Sequence, residues 1–144
     1  MAPEVLFEFA NLFAVAGWVC LVAGIVTKRP WLRDRLAGLY WPLAIAVGYA
    51  LAIMAAAWSG SEGGFASLTE IRQLFANDWA LLAGWMHYLA FDLFVGAWIA
   101  AETERANLSR LVLIPVLPLA FLFGPTGFLL FNVVRLINRR AHVA

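Results

Sequence analysis

The feature that most constrains this chain is an apolar run at 79–101, long enough to cross a bilayer as one helix, that carries His87 and Asp92 near its middle. A carboxylate at the bilayer centre costs roughly 2.5–3.5 kcal/mol on insertion scales. Asp92 is therefore expected to face protein, a partner charge or water rather than lipid tails. The rest of the chain must supply that environment.

Three more apolar runs, at 5–27, 36–58 and 111–137, have spanning length. With 64% hydrophobic and 13% charged residues, the 144-residue chain has the profile of an integral membrane protein rather than of a soluble core. The expected fold is all-α: one domain, an integral membrane four-helix bundle. Its last helix should be broken or kinked at Gly124-Pro125, because proline removes a backbone donor and clashes with the preceding turn. The formal net charge of +1 offers no basic patch, so nucleic acid is not an expected partner. A single cysteine, Cys20, excludes an intramolecular disulfide and a multi-thiolate metal site within the chain.

The amino-terminal run has no basic stretch before it and reads as a retained span, with a bacterial cytoplasmic (inner) membrane as the expected location. Lys28, Arg29, Arg33, Arg35, Arg105 and Arg110 crowd two connections, whereas the opposite side holds Arg72 and, for a continuous last span, Arg139 and Arg140. This bias puts both termini outside; a re-entrant turn at 124–127 would instead return the carboxyl end to the cytoplasmic side. Gly17 and Gly24, seven apart, predict an inward-packing face on the first helix. The second span, studded with Ala and Gly, reads as scaffold. The Gly- and Ser-rich stretch 59–64 is a loop, and 67–75 is a short amphipathic segment expected to lie in the interface as a lid.

Depths counted at about 1.5 Å per residue put Asn11, His87, Asn132 and Arg135 in one half of the bilayer, with Asp92 near its midplane. That grouping predicts one polar pocket. On the third helix Tyr88 and Asp92 share a stripe with Gly84 and Gly96, while His87 shares one with Phe91, Phe94 and Trp98. The last helix offers Phe128, Phe131, Asn132 and Arg135. Each residue has a plainer alternative. Asp92 with Arg135 is equally readable as an ion pair fixing helix register, His87 as a donor to a carbonyl or Tyr88, and Glu8 and Asn11 as hydrated groups near a helix end. Most of the aromatic content also suits core packing or lipid contact.

The run Gly84-Trp85-Met86-His87-Tyr88-Leu89-Ala90-Phe91-Asp92-Leu93-Phe94-Val95-Gly96, together with Phe123-Gly124-Pro125-Thr126-Gly127-Phe128-Leu129-Leu130, resembles the plant neoxanthin synthase family, the abscisic-acid-deficient type, and its bacterial relatives. Asn11, Trp18 and Arg135 fall where further family residues are expected, so the resemblance covers nearly the whole chain. It implies a small multispanning protein of xanthophyll metabolism that converts an epoxy-carotenoid to an allenic product. The implied ligand is a carotenoid or other long polyene isoprenoid, held by Asn11, Trp18, Tyr88, Phe91, Phe94, Trp98, Phe128, Phe131 and Asn132.

For such an isomerisation Asp92 is the candidate acid and His87 the candidate base, with Arg135 deciding the assignment by whether it pairs with Asp92. Neither metal nor redox cofactor is required. A rival is oxidative cleavage of a carotenoid such as β-carotene to retinal or an apocarotenal, which calls for iron. Only His87 and His142 are available as histidine ligands, leaving a mixed set of His87, Asp92 and Glu8. A third reading is a non-catalytic carotenoid carrier or assembly subunit, whose Gly- and Ala-rich faces would also serve a homo-oligomer among membrane lipids.

Overall fold

The computed structural model describes residues 2–141, so His142 lies outside the described residues. Among the described residues three helices are long and apolar enough to cross a membrane: α1 at Pro3–Val26, a continuous helix at Trp31–Trp58, and α4 at Asp78–Arg105. The second of these opens as a π-helix, Trp31–Tyr40, and continues as α2, Trp41–Trp58. A short α3, Leu68–Leu74, sits in the connection to α4. After a 3₁₀ turn at Arg110–Val112 come α5, Leu113–Leu122, and α6, Gly124–Ala141.

Local chemistry sets these ends. Pro3 starts α1 where its missing N–H is not needed. Thr27 closes the helix by donating its amide to the Ala23 carbonyl at 2.9 Å, and Lys28 then turns through φ 55°. The Asn77 side chain caps α4 by accepting from the amides of Trp79 at 3.0 Å and Ala80 at 3.2 Å. The basic segment expected as a turn up to residue 35 is helical from Trp31 onward. Arg33 is buried there because Asp34 accepts from its Nε at 2.6 Å and Glu104 pairs with its guanidinium. Neutralised in this way, the turn of π-helix lies against α1 and α4.

α4 is the central helix and touches α1, the π-helix, α2, α5 and α6. One core cluster joins Trp18 and Leu21 of α1 to Leu93 and Ile99 of α4, Val116 of α5 and Phe131 of α6. A second joins Ala10 and Ala14 to Ile45, Leu82, Ala83 and Met86. Gly17 and Gly24 are both buried, as the inward face on α1 predicts. The Trp41 indole donates to the Phe13 carbonyl at 2.7 Å and fastens α2 to α1.

The expectation of a fourth span is corrected by the last region. It breaks at Phe123, immediately before Gly124, and the two pieces double back on one another. Arg110, at the start of this region, reaches the Ile25 carbonyl at the end of α1, while Phe121 packs on Trp18 in the middle of α1. On α6 Phe128 and Phe131 then meet Trp98, and Arg135 meets Glu102 near the end of α4. The pieces form a re-entrant helical hairpin whose arms are close enough that a side chain at Gly127 would run into the backbone of Ala120. At about 1.5 Å per residue the ten-residue α5 covers roughly 15 Å, half of a ~30 Å hydrocarbon core.

The hairpin carries two further corrections. The end of α6 returns to the basic side of the protein, as the re-entrant alternative implies, so the start of α1 and the end of α6 do not share a side. Asn132 and Arg135 lie towards that basic side, not in the same half as Asn11. Counting along an uninterrupted helix fails once the helix reverses.

Candidate functional site

The site forms where the hairpin tip meets the middle of α4. A helix break leaves carbonyls at the end of one helix and amides at the start of the next without intrahelical partners. Two side chains one turn apart on α4 meet both groups here. The Tyr88 hydroxyl donates to the Leu122 carbonyl at 2.8 Å, with the Phe121 carbonyl at 3.3 Å. The Asp92 carboxyl lies against Gly124, bordered by that residue's main-chain N–H and by the Tyr88 hydroxyl. An acceptor placed there faces the positive end of the α6 dipole.

Asp92 is 7% exposed, and its two oxygens have different surroundings. Oδ1 is the one nearer Gly124. Oδ2 is buried and has no hydrogen-bond partner among the described residues. An unpaired buried oxygen is costly, and the one other buried side-chain atom without a partner among the described residues is Arg135 Nε.

The Asp92–Arg135 pair is corrected. Arg135 instead pairs with Glu102 at 2.5 Å, because the hairpin carries it to the far end of α4. His87 is also separated from Asp92: it is exposed, stacked on Phe91 with ring centroids 4.6 Å apart, and 5.8 Å from Tyr49 of α2. No group of three His, Cys, Asp or Glu side chains is gathered closely enough to hold a metal among the described residues, so the set of His87, Asp92 and Glu8 is not assembled.

The aromatic residues expected to hold the ligand divide into three groups. Phe91 and Phe94 face a groove beside Pro42 and Leu43, on the α2 side of α4. Trp98, Phe128 and Phe131 pack together nearer the basic end, with Phe131 fully buried and Asn132 bonded back to the Phe128 carbonyl at 2.8 Å. Trp18 joins Tyr88 at the tip, edge-on to Phe121 with centroids 5.4 Å apart. Asn11 stands further along α1, where it accepts from the Trp85 indole at 2.8 Å. Trp85 and Glu102 are therefore contacts the sequence reading missed. An indole N–H inside an apolar run needs an acceptor, and that need is the available signal for the first.

Below the tip, an apolar groove of about 740 Å³ runs between α1 and α5. Val19 and Val22 line one wall, Ile114 and Leu117 the other, with Trp18 and Phe121 at the tip end and Arg110 at the basic end. Its volume is within the roughly 300–1,000 Å³ typical of small-molecule pockets. Its walls suit a linear hydrocarbon.

A family model described as ABA DEFICIENT 4-like matches residues 5–131. No curated protein matches the chain, and no solved structure does.

Proposed function

Because the chain belongs to the ABA DEFICIENT 4-like family, the neoxanthin synthase family, we propose that it binds a long polyene isoprenoid within the bilayer and isomerises an epoxide-bearing end group on it. Membership and the membrane-length helices make it a membrane protein linked to carotenoid and xanthophyll metabolism. The observation that carries the finer reading is the buried, unpartnered Oδ2 of Asp92 beside the hairpin tip.

In this reading Oδ1 stays against Gly124 while Oδ2 carries the working proton. Asp92 in its acid form gives that proton to the epoxide oxygen. The allylic C–O bond breaks, the oxygen keeps the electron pair as a hydroxyl, and the cation spreads along the polyene. The Asp92 carboxylate then removes a proton from the polyene, whose C–H electrons form a new, cumulated double bond. The acid is restored and the product is an isomer, so no electrons enter or leave. The polyene lies along the groove between α1 and α5, with the faces of Trp18 and Phe121 near enough to the tip to favour the cation. His87 has no part in these steps, and Arg135 acts only by holding α6 to α4.

The test is the pigment profile of cells that make an epoxy-xanthophyll, with and without the chain, by chromatography with mass detection. The expected result is a new pigment of unchanged mass that disappears with Asp92→Asn. No new pigment, or the same pigment from Asp92→Asn, would sink the acid role. An aldehyde with about half the carbons of its parent would point to cleavage instead.

Binding without turnover is a second reading, favoured by the contact at Gly124, which gives Asp92 a structural task of its own. It expects pigment to co-purify unchanged, and to do so equally with Asp92→Asn.

A further inference from the structure

Among the described residues, the three most exposed large apolar side chains lie at one end of the spans rather than along them. They are Trp58 at 95%, Phe65 at 83% and Leu68 at 79%, all at or beyond the end of α2 in the connection to α4. On a surface facing water, three large apolar side chains this exposed at one end of the protein would be unfavourable. The connection is nevertheless firmly built. The Ser67 hydroxyl accepts from the Glu70 amide at 3.2 Å, and the Glu70 carboxylate accepts from the Ala66 amide at 3.2 Å. Asn77 donates to the Ser59 hydroxyl at 2.9 Å and ties the two ends of the connection together. Phe75 turns inward onto α4 at Gly84.

We propose that this connection, residues 59–77, is a membrane-interface element that seats Phe65 and Leu68 in the headgroup–acyl boundary of the leaflet where α2 and α4 emerge. Its position carries the assignment: both ends are anchored on spanning helices, and the Asn77–Ser59 bond keeps the segment at the membrane surface. Trp58, at the last residue of α2, occupies the depth at which indole rings anchor helices. The lipid contact is apolar rather than electrostatic. This end of the protein carries Glu4, Glu8, Glu62, Glu70 and Asp78 against Arg72, so anionic headgroups gain nothing from it. Zwitterionic phosphatidylcholine is sufficient.

The test uses the full chain with Cys20→Ala and a nitroxide on Phe65→Cys, Leu68→Cys or Glu62→Cys in turn, reconstituted in phosphatidylcholine bilayers. Phe65 and Leu68 are so exposed that their replacement removes little packing. Collision with oxygen, which concentrates in the acyl region, is compared with collision with a water-soluble nickel chelate. Positions 65 and 68 should show an oxygen-to-nickel ratio several-fold above that at position 62, unchanged when phosphatidylglycerol is mixed in. Nickel-dominated collision at 65 and 68 would place them in water and overturn the proposal. Exclusion of both reagents, with dipolar broadening between labels, would overturn it in favour of contact with a second copy.

Discussion

The Asp92 carboxyl occupies the space that the Cβ of any residue but glycine at position 124 would need, so one contact fixes both the depth of the hairpin tip and the place of the only buried carboxyl among the described residues. Tyr88, a turn earlier, holds the other side of the break. The structural and chemical roles of this pair are separable by substitution.

Gly124→Ala should destabilise the protein by about 1–3 kcal/mol, the usual cost of forcing extra volume into a closed contact. Adding Asp92→Ala removes the opposing atoms. The double variant should therefore lose less than the sum of the two single losses, and thermal unfolding in detergent measures both. Strict additivity would show that the two residues do not touch.

Tyr88→Phe leaves the ring and removes only the hydroxyl. The end of α5 then loses its donor at the Leu122 carbonyl, a change worth about 1–3 kcal/mol for a polar group left unpaired. Hydrogen exchange should quicken at the amides of Phe123, Gly124, Thr126 and Gly127 while those of 93–101 keep their protection. Faster exchange throughout α4 would mean that Tyr88 serves the bundle rather than the tip.

Arg135 should couple to Glu102 and not to Asp92. A double-variant cycle of Arg135→Ala with Glu102→Ala is expected to return roughly 0.5–3 kcal/mol, as for residues in contact. The same cycle with Asp92→Ala should return less than about 0.5 kcal/mol. Comparable coupling in the second cycle would restore the pair expected from the sequence.

His87→Ala should leave pigment conversion within about twofold, since a change of ~0.5 kcal/mol is the scale for exposed positions outside a site. The same pigment profile that tests Asp92→Asn reads this out. A conversion defect as deep as that of Asp92→Asn would bring His87 back as the base.

Sidedness checks the hairpin directly. In a Cys20→Ala background, Ser109→Cys and Ile137→Cys should react with a membrane-impermeant maleimide from the same side, and Glu62→Cys from the opposite one. Ile137→Cys reacting from the same side as Glu62→Cys would mean that the last region crosses the membrane after all.

The amino-acid sequence alone commits this chain to a helical membrane protein, because apolar runs of spanning length have no other stable form in lipid. It also located the helix break at Gly124-Pro125, the small-residue face of α1 and the shared stripe of Tyr88 and Asp92, all of which follow from local backbone chemistry and helical period. Whether the chain after the break continues across the membrane or reverses is not a local property. It depends on close approach of Gly127 to Ala120 and on partners supplied by α4, thirty residues away. That choice moved Arg135 from Asp92 to Glu102, and it left Oδ2 of Asp92 alone at the tip. His87 was displaced for a related reason: the helical period places it on another stripe from Asp92, but only the packing of α2, α5 and α6 decided which stripe faces the hairpin and which faces lipid.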